Sequence, residues 1–112
     1  MDDNLIDQER VTLLRDDLGP DGVEVVTEIF TEDAQMLLRQ IGSATTASAQ
    51  EANLHRLRGG ALNLGFAALA AACAKHERRA REGVMMPPAD VGVLERMCSA
   101  SLAAMAEAAP TA

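Results

Sequence analysis

Apolar residues recur three and four positions apart along most of this chain, and glycine and proline interrupt the pattern at a few places. That spacing belongs to helices with one buried face. Five helices are predicted. The first, about 7–18, stops at the GPDG of residues 19–22, where glycine and proline mark an end and a restart. The second, about 21–45, carries Val23, Val26, Phe30, Leu37 and Ile41 at helical spacing. The third, about 48–65, buries Gln50, Leu54, Leu57, Ala61 and Leu64. The fourth, about 66–82, is rich in alanine and ends at Gly83 before the loop GVMMPP. Pro88 suits the first turn of the fifth, about 88–107, whose stripe is Val91, Leu94, Cys98, Leu102 and Met105. The trailing EAAPTA is expected to fray. Short connections between amphipathic helices favour antiparallel neighbours. The expected fold is all-α: an antiparallel up-down four-helix bundle with a short additional N-terminal helix, one domain over residues 1–112.

Within that frame the two histidines occupy different positions. At about 100° per residue, the apolar residues of the third helix span roughly 80°, and His55 lies about 140° from their centre. His55 therefore points outward, with Arg58 and Gly59 beside it at the third and fourth positions on. Gly59 and Gly60 each weaken a helix by up to about 1 kcal/mol relative to alanine. A steric reason accounts for their presence: they leave the histidine ring open to the close approach of another macromolecule. His76, by contrast, falls among Phe66, Leu69, Cys73 and Ala80, and is expected to be largely buried.

Composition narrows the chemistry. The chain has 112 residues, 48% of them apolar, which suits one compact core. Its β-branched residues never alternate in the manner of a strand. The longest apolar run, FAALAAACA, is about half of the ~20 residues that cross a bilayer, so no membrane segment is expected. Cys73 and Cys98 stand in helical sequence without a leader segment and read as small buried hydrophobes in a cytoplasmic protein. Net charge is −7, yet unevenly spread: residues 1–33 hold eleven acidic and two basic side chains, whereas residues 55–82 hold six basic and two acidic. One short basic face on an acidic chain fits a compact anion or an acidic protein surface better than a nucleic acid. Two histidines so oriented do not form a metal site, and the sequence has neither a phosphate-cradling glycine loop nor a nucleophilic dyad. An exposed nucleophilic imidazole with a cation at hand remains.

Those residues resemble the histidine phosphotransfer (Hpt) domains of multistep phosphorelays. The family pattern places an apolar residue two positions after the histidine, a lysine or arginine at three, glycine at four, and leucine and glycine at nine and ten. A helix bearing leucine, cysteine and a glutamate or glutamine follows. Here the positions are His55, Leu57, Arg58, Gly59, Leu64, Gly65, Leu69, Cys73 and Glu77, nine matches over 23 residues. The likeness continues through RRAR at 78–81 and along the N-terminal helices. Arg58 replaces the commoner lysine, and His76 stands where the family usually has leucine.

The resemblance implies that His55 accepts a phosphoryl group from a receiver-domain aspartate and passes it to an aspartate of another receiver. It implies that Arg58 neutralises the phosphate and that Glu77 hydrogen-bonds the other ring nitrogen. The partner-binding residues expected are Arg56, Gly59, Gly60 and Leu62; Ile6 and Val11 are further docking candidates, with ordinary bundle packing the first reading for both. No cofactor and no metal are expected on this chain, the magnesium ion belonging to the receiver. The chain is expected to be a monomeric phosphotransfer intermediate without kinase activity of its own, binding neither nucleic acid nor membrane. One alternative is a helical adaptor of the same fold that binds a receiver or another signalling protein without carrying phosphate. An acyl-carrier reading fails, because the only Ser-Leu pair, Ser101 and Leu102, follows Ala100 rather than aspartate.

Overall fold

The computed structural model describes residues 5–108, so the expected fraying of EAAPTA falls largely outside the described residues. Helix α1 spans Gln8–Ser43, α2 Ala47–Leu64, α3 Ala67–Arg81 and α4 Pro88–Glu107. Among the described residues there is no strand. Each helix packs against the next, and α4 closes back on α1, which is the neighbour order of an up-down bundle.

The expected first and second helices are one element broken at a single residue. Gly19 adopts φ 71° and ψ 172°, a conformation essentially closed to residues with a Cβ. Pro20 then starts the next helical stretch, where its missing N–H loses no bond. The halt predicted across four residues is therefore confined to Gly19.

Residues 5–18 close one end of the bundle. The Asp7 N–H donates to the Gly65 carbonyl (2.7 Å), the Ala68 N–H to Leu5 (3.3 Å), and Arg10 Nε to the Asn63 carbonyl (3.0 Å). The guanidinium of Arg15 donates to the carbonyl of Met105 near the end of α4. Gly65, left-handed at φ 80°, ends α2 and leaves room for this crossing: a Cβ there would lie 3.1 Å from the Asp7 carbonyl oxygen.

Thr46 caps α2 by accepting from the Ala49 N–H. At the opposite end of the bundle the buried Gln50 amide donates to Ile41 and accepts from the Met86 N–H, joining α1, α2 and the loop before α4. Ile41, Leu54, Leu57, Phe66, Leu69 and Leu94 fill the core, and Phe30 meets Phe66 edge to face at 5.2 Å. Helices α2 and α3 are thereby held side by side, with a two-residue turn between them.

Candidate functional site

The buried face of α3 comprises Leu69, Ala70, Cys73, Glu77 and Ala80, so a carboxylate occupies a position that the helical repeat reserves for the core. His76 and Glu77 flank the apolar stripe at about equal angles, and it is Glu77 that turns inward against α2. There it meets His55. The histidine side chain is 65% exposed and that of Glu77 only 4%, with His55 Nδ1 2.8 Å from Glu77 Oε1. Arg58 donates from Nε to Glu77 Oε2 at 2.7 Å, and its Nη2 lies 3.0 Å from His55 Nδ1.

Nδ1 thus has two competing partners. Nδ1 of a neutral imidazole either donates to Glu77 or accepts from Arg58, never both. Burial by itself would push the Glu77 carboxyl up, but hydrogen bonds from His55 and Arg58 and the guanidinium charge hold it below the usual carboxylate range. An ionised carboxylate only accepts, and Arg58 already has it as a partner, so the favoured arrangement places the proton on Nδ1, donating to Glu77. Nε2 then carries the free lone pair on the exposed part of the ring.

Two further residues belong to this cluster that sequence reasoning did not single out. Arg81 donates to Glu51 of α2 at 2.9 Å and places Nη2 3.6 Å from Glu77 Oε1. The spacing of Arg81 and Glu77 on one helix was visible in the sequence; the partnership with Glu51 depends on the pairing of α2 with α3.

The residues expected to bind a partner divide into two groups. Arg56 and Leu62 are exposed, and a Cβ at Gly59 would meet nothing within 4 Å. Gly60 has a different reason to be glycine: a Cβ there would lie 3.3 Å from the Phe30 ring, so it serves the approach of α2 to α1. Ile6 and Val11 are buried in the N-terminal closure and present no surface, so they pack the bundle and are not docking residues. Exposed Ile29 and half-buried Val26 stand nearer that role. They line a groove of about 400 Å³ between α1 and α2, together with Arg10, Asp33, Arg56 and Gly60.

His76 lies toward α4, its Nε2 4.0 Å from Asp90, while its Nδ1 is buried without a hydrogen-bond partner. Burial raises the Cys73 and Cys98 thiols to about 12 and about 11, so both are protonated and inert near neutrality. Among the described residues no three histidine, cysteine or acidic side chains converge as metal ligands. Among the described residues no helix is long and apolar enough to cross a membrane.

Comparison with known proteins places this geometry in context. The sequence profile of the Hpt domain matches residues 25–107. The chain is also similar to the crystal structure of a rice protein assigned as a histidine-containing phosphotransfer protein, with a TM-score of 0.64 and 15% identity. The similarity covers 96% of this chain and 78% of the rice chain. No protein of curated function matches the sequence.

Proposed function

This chain belongs to the Hpt domain family, and we propose from that membership and the site geometry that His55 is its phosphoryl carrier between receiver domains. Hpt domains are phosphotransfer carriers of phosphorelays, not kinases, and they work with receiver domains. The observation that carries the assignment is the exposed His55 ring held through Nδ1 on buried Glu77, which leaves Nε2 as the nucleophile.

In the proposed step the Nε2 lone pair forms a bond to phosphorus as the P–O bond to the donor aspartate breaks. The aspartate leaves as a carboxylate. The ring keeps its Nδ1 proton, and the positive charge it gains is held against Glu77. Transfer to the acceptor aspartate reverses these changes. Charge in this loose transition state spreads over the phosphoryl oxygens, so positioning and a nearby cation supply most of the catalysis. Arg58 supplies that cation. Arg56, Leu62 and Ile29 contact the receiver, Gly59 keeps the approach open, and the receiver contributes the magnesium ion. In this reading the carrier is monomeric and cytoplasmic.

The test is incubation with a phosphorylated receiver. The expected result is acid-labile, base-stable phosphate on the chain, lost in His55→Gln while circular dichroism stays helical. Equal labelling of the variant would remove His55 from the mechanism; complete absence of labelling would favour the adaptor.

A further inference from the structure

Arg58 has two duties that compete. In the resting site its guanidinium lies on the Nδ1 side of His55, bound to Glu77. A phosphoryl group on Nε2 needs a cation on the opposite side of the ring. If Arg58 turns to it, the Glu77 carboxylate, 3% exposed, keeps the charged ring on Oε1 but loses its guanidinium on Oε2, just as a phosphoryl group with more than one negative charge arrives nearby. A glutamine at this position would escape the problem, because it carries no charge to compensate.

The one other guanidinium within 4 Å of that carboxylate among the described residues is that of Arg81. It lies one helical turn beyond Glu77 on α3, with Nε engaged by Glu51 and Nη2 already turned toward Glu77 Oε1 at 3.6 Å. More than half of its side chain is exposed, so it is free to shift by the small distance that a hydrogen bond requires. Glu51 holds it across the α2–α3 seam, close to the carboxylate.

We propose that Arg81 is a positioning residue for phosphoryl transfer: it takes over the buried Glu77 carboxylate when Arg58 turns to the phosphoryl group on His55. The inference rests on His55 being the carrier. Arg81 acts through Glu77 and does not touch the phosphate, so its importance disappears when Glu77 loses its charge. A residue that merely supports the fold, or that binds phosphate directly, would matter equally with or without that charge.

The full chain tests this with phosphoramidate, a small donor that needs no docking surface. Its P–N bond breaks, ammonia leaves, and the new P–N bond forms at Nε2. In the wild-type background Arg81→Ala should slow labelling of His55 by about five- to tenfold, within the range of coupling between charged neighbours. Arg81→Lys should recover most of the rate. In the Glu77→Gln background the same Arg81→Ala change should alter the rate by less than about twofold. An equal loss in both backgrounds, or no loss in either, overturns the proposal. Labelling by phosphoramidate but by no receiver overturns the relay and leaves the role of Arg81 to be decided by the small donor alone.

Discussion

His76 sits next to the site carboxylate in sequence yet turns toward α4, where burial lowers its pKa and Asp90 only partly opposes this. Lys75 and Arg79 on its own helix act in the same direction as burial. The folded protein therefore keeps the imidazole neutral to a lower pH than the unfolded chain does. Below about pH 6.5 the unfolded state takes up a proton that the folded state refuses, so stability should fall as pH drops through that range. His76→Leu should flatten this dependence and, by removing the buried unpartnered Nδ1, raise unfolding free energy at pH 7 by about 1 kcal/mol. Urea denaturation at several pH values between 7 and 5.5 checks both; an unchanged slope would exclude His76 as its source. Legibility at this scale followed spacing. His55 and Arg58 were readable because their relation lies within one helix turn, whereas Glu77 came only from the family pattern, since the apolar repeat of α3 does not choose between it and His76. Arg81 was missed, since its meaning arises only where α2 and α3 meet.

Along α2, two adjacent glycines that look equivalent in sequence face different surroundings. Gly59 opens onto empty space and Gly60 onto the ring of Phe30. Gly59→Leu should leave the fold intact, its thermal midpoint unchanged or raised by up to about 1 kcal/mol of helix propensity. It should slow transfer from a phosphorylated receiver by about tenfold, the loss produced when a bulky group spoils a docking contact. Gly60→Leu should instead destabilise the bundle by about 1–3 kcal/mol through overpacking against Phe30. Thermal unfolding and transfer rates measured on both variants separate the two effects, and matching behaviour would show that one explanation serves both residues. The helices themselves were legible because apolar periodicity and glycine or proline punctuation agree with each other. The break in α1 was misjudged in extent for a reason specific to Pro20: its fixed φ and missing N–H suit the start of a helix as well as the end of one. Sequence gave no means of choosing between these roles, and the backbone of Gly19 decides the matter.

At the scale of the whole molecule, the uneven charge and the groove lie on the same side of the argument about partners. Acidic residues concentrate in α1, basic ones in α2 and α3, and the groove between α1 and α2 has Asp33, Arg10 and Arg56 among its apolar walls. A partner seated across these two helices would meet both signs of charge, with Ile29 and Leu62, each more than half exposed, as apolar contacts. Electrostatic complementarity of this kind sets orientation and encounter rate more than final affinity. Ile29 was absent from the sequence-derived docking residues because the helical repeat assigns Val26 and Phe30 to the core and says nothing about which outward residue borders a groove. Ile6 and Val11 could be offered as docking candidates beside ordinary bundle packing because the crossing of residues 5–18 over the α2–α3 turn, which buries them, is a long-range contact. Ile29→Glu should leave the helical content unchanged and reduce transfer from a receiver by about tenfold, the loss of one central apolar contact. Its labelling by phosphoramidate should match the wild type, since the change lies on α1, away from the His55–Glu77–Arg58 cluster. Equal slowing with both donors would move Ile29 from the docking surface to the support of the site, and normal transfer with both would place the receiver elsewhere on the bundle.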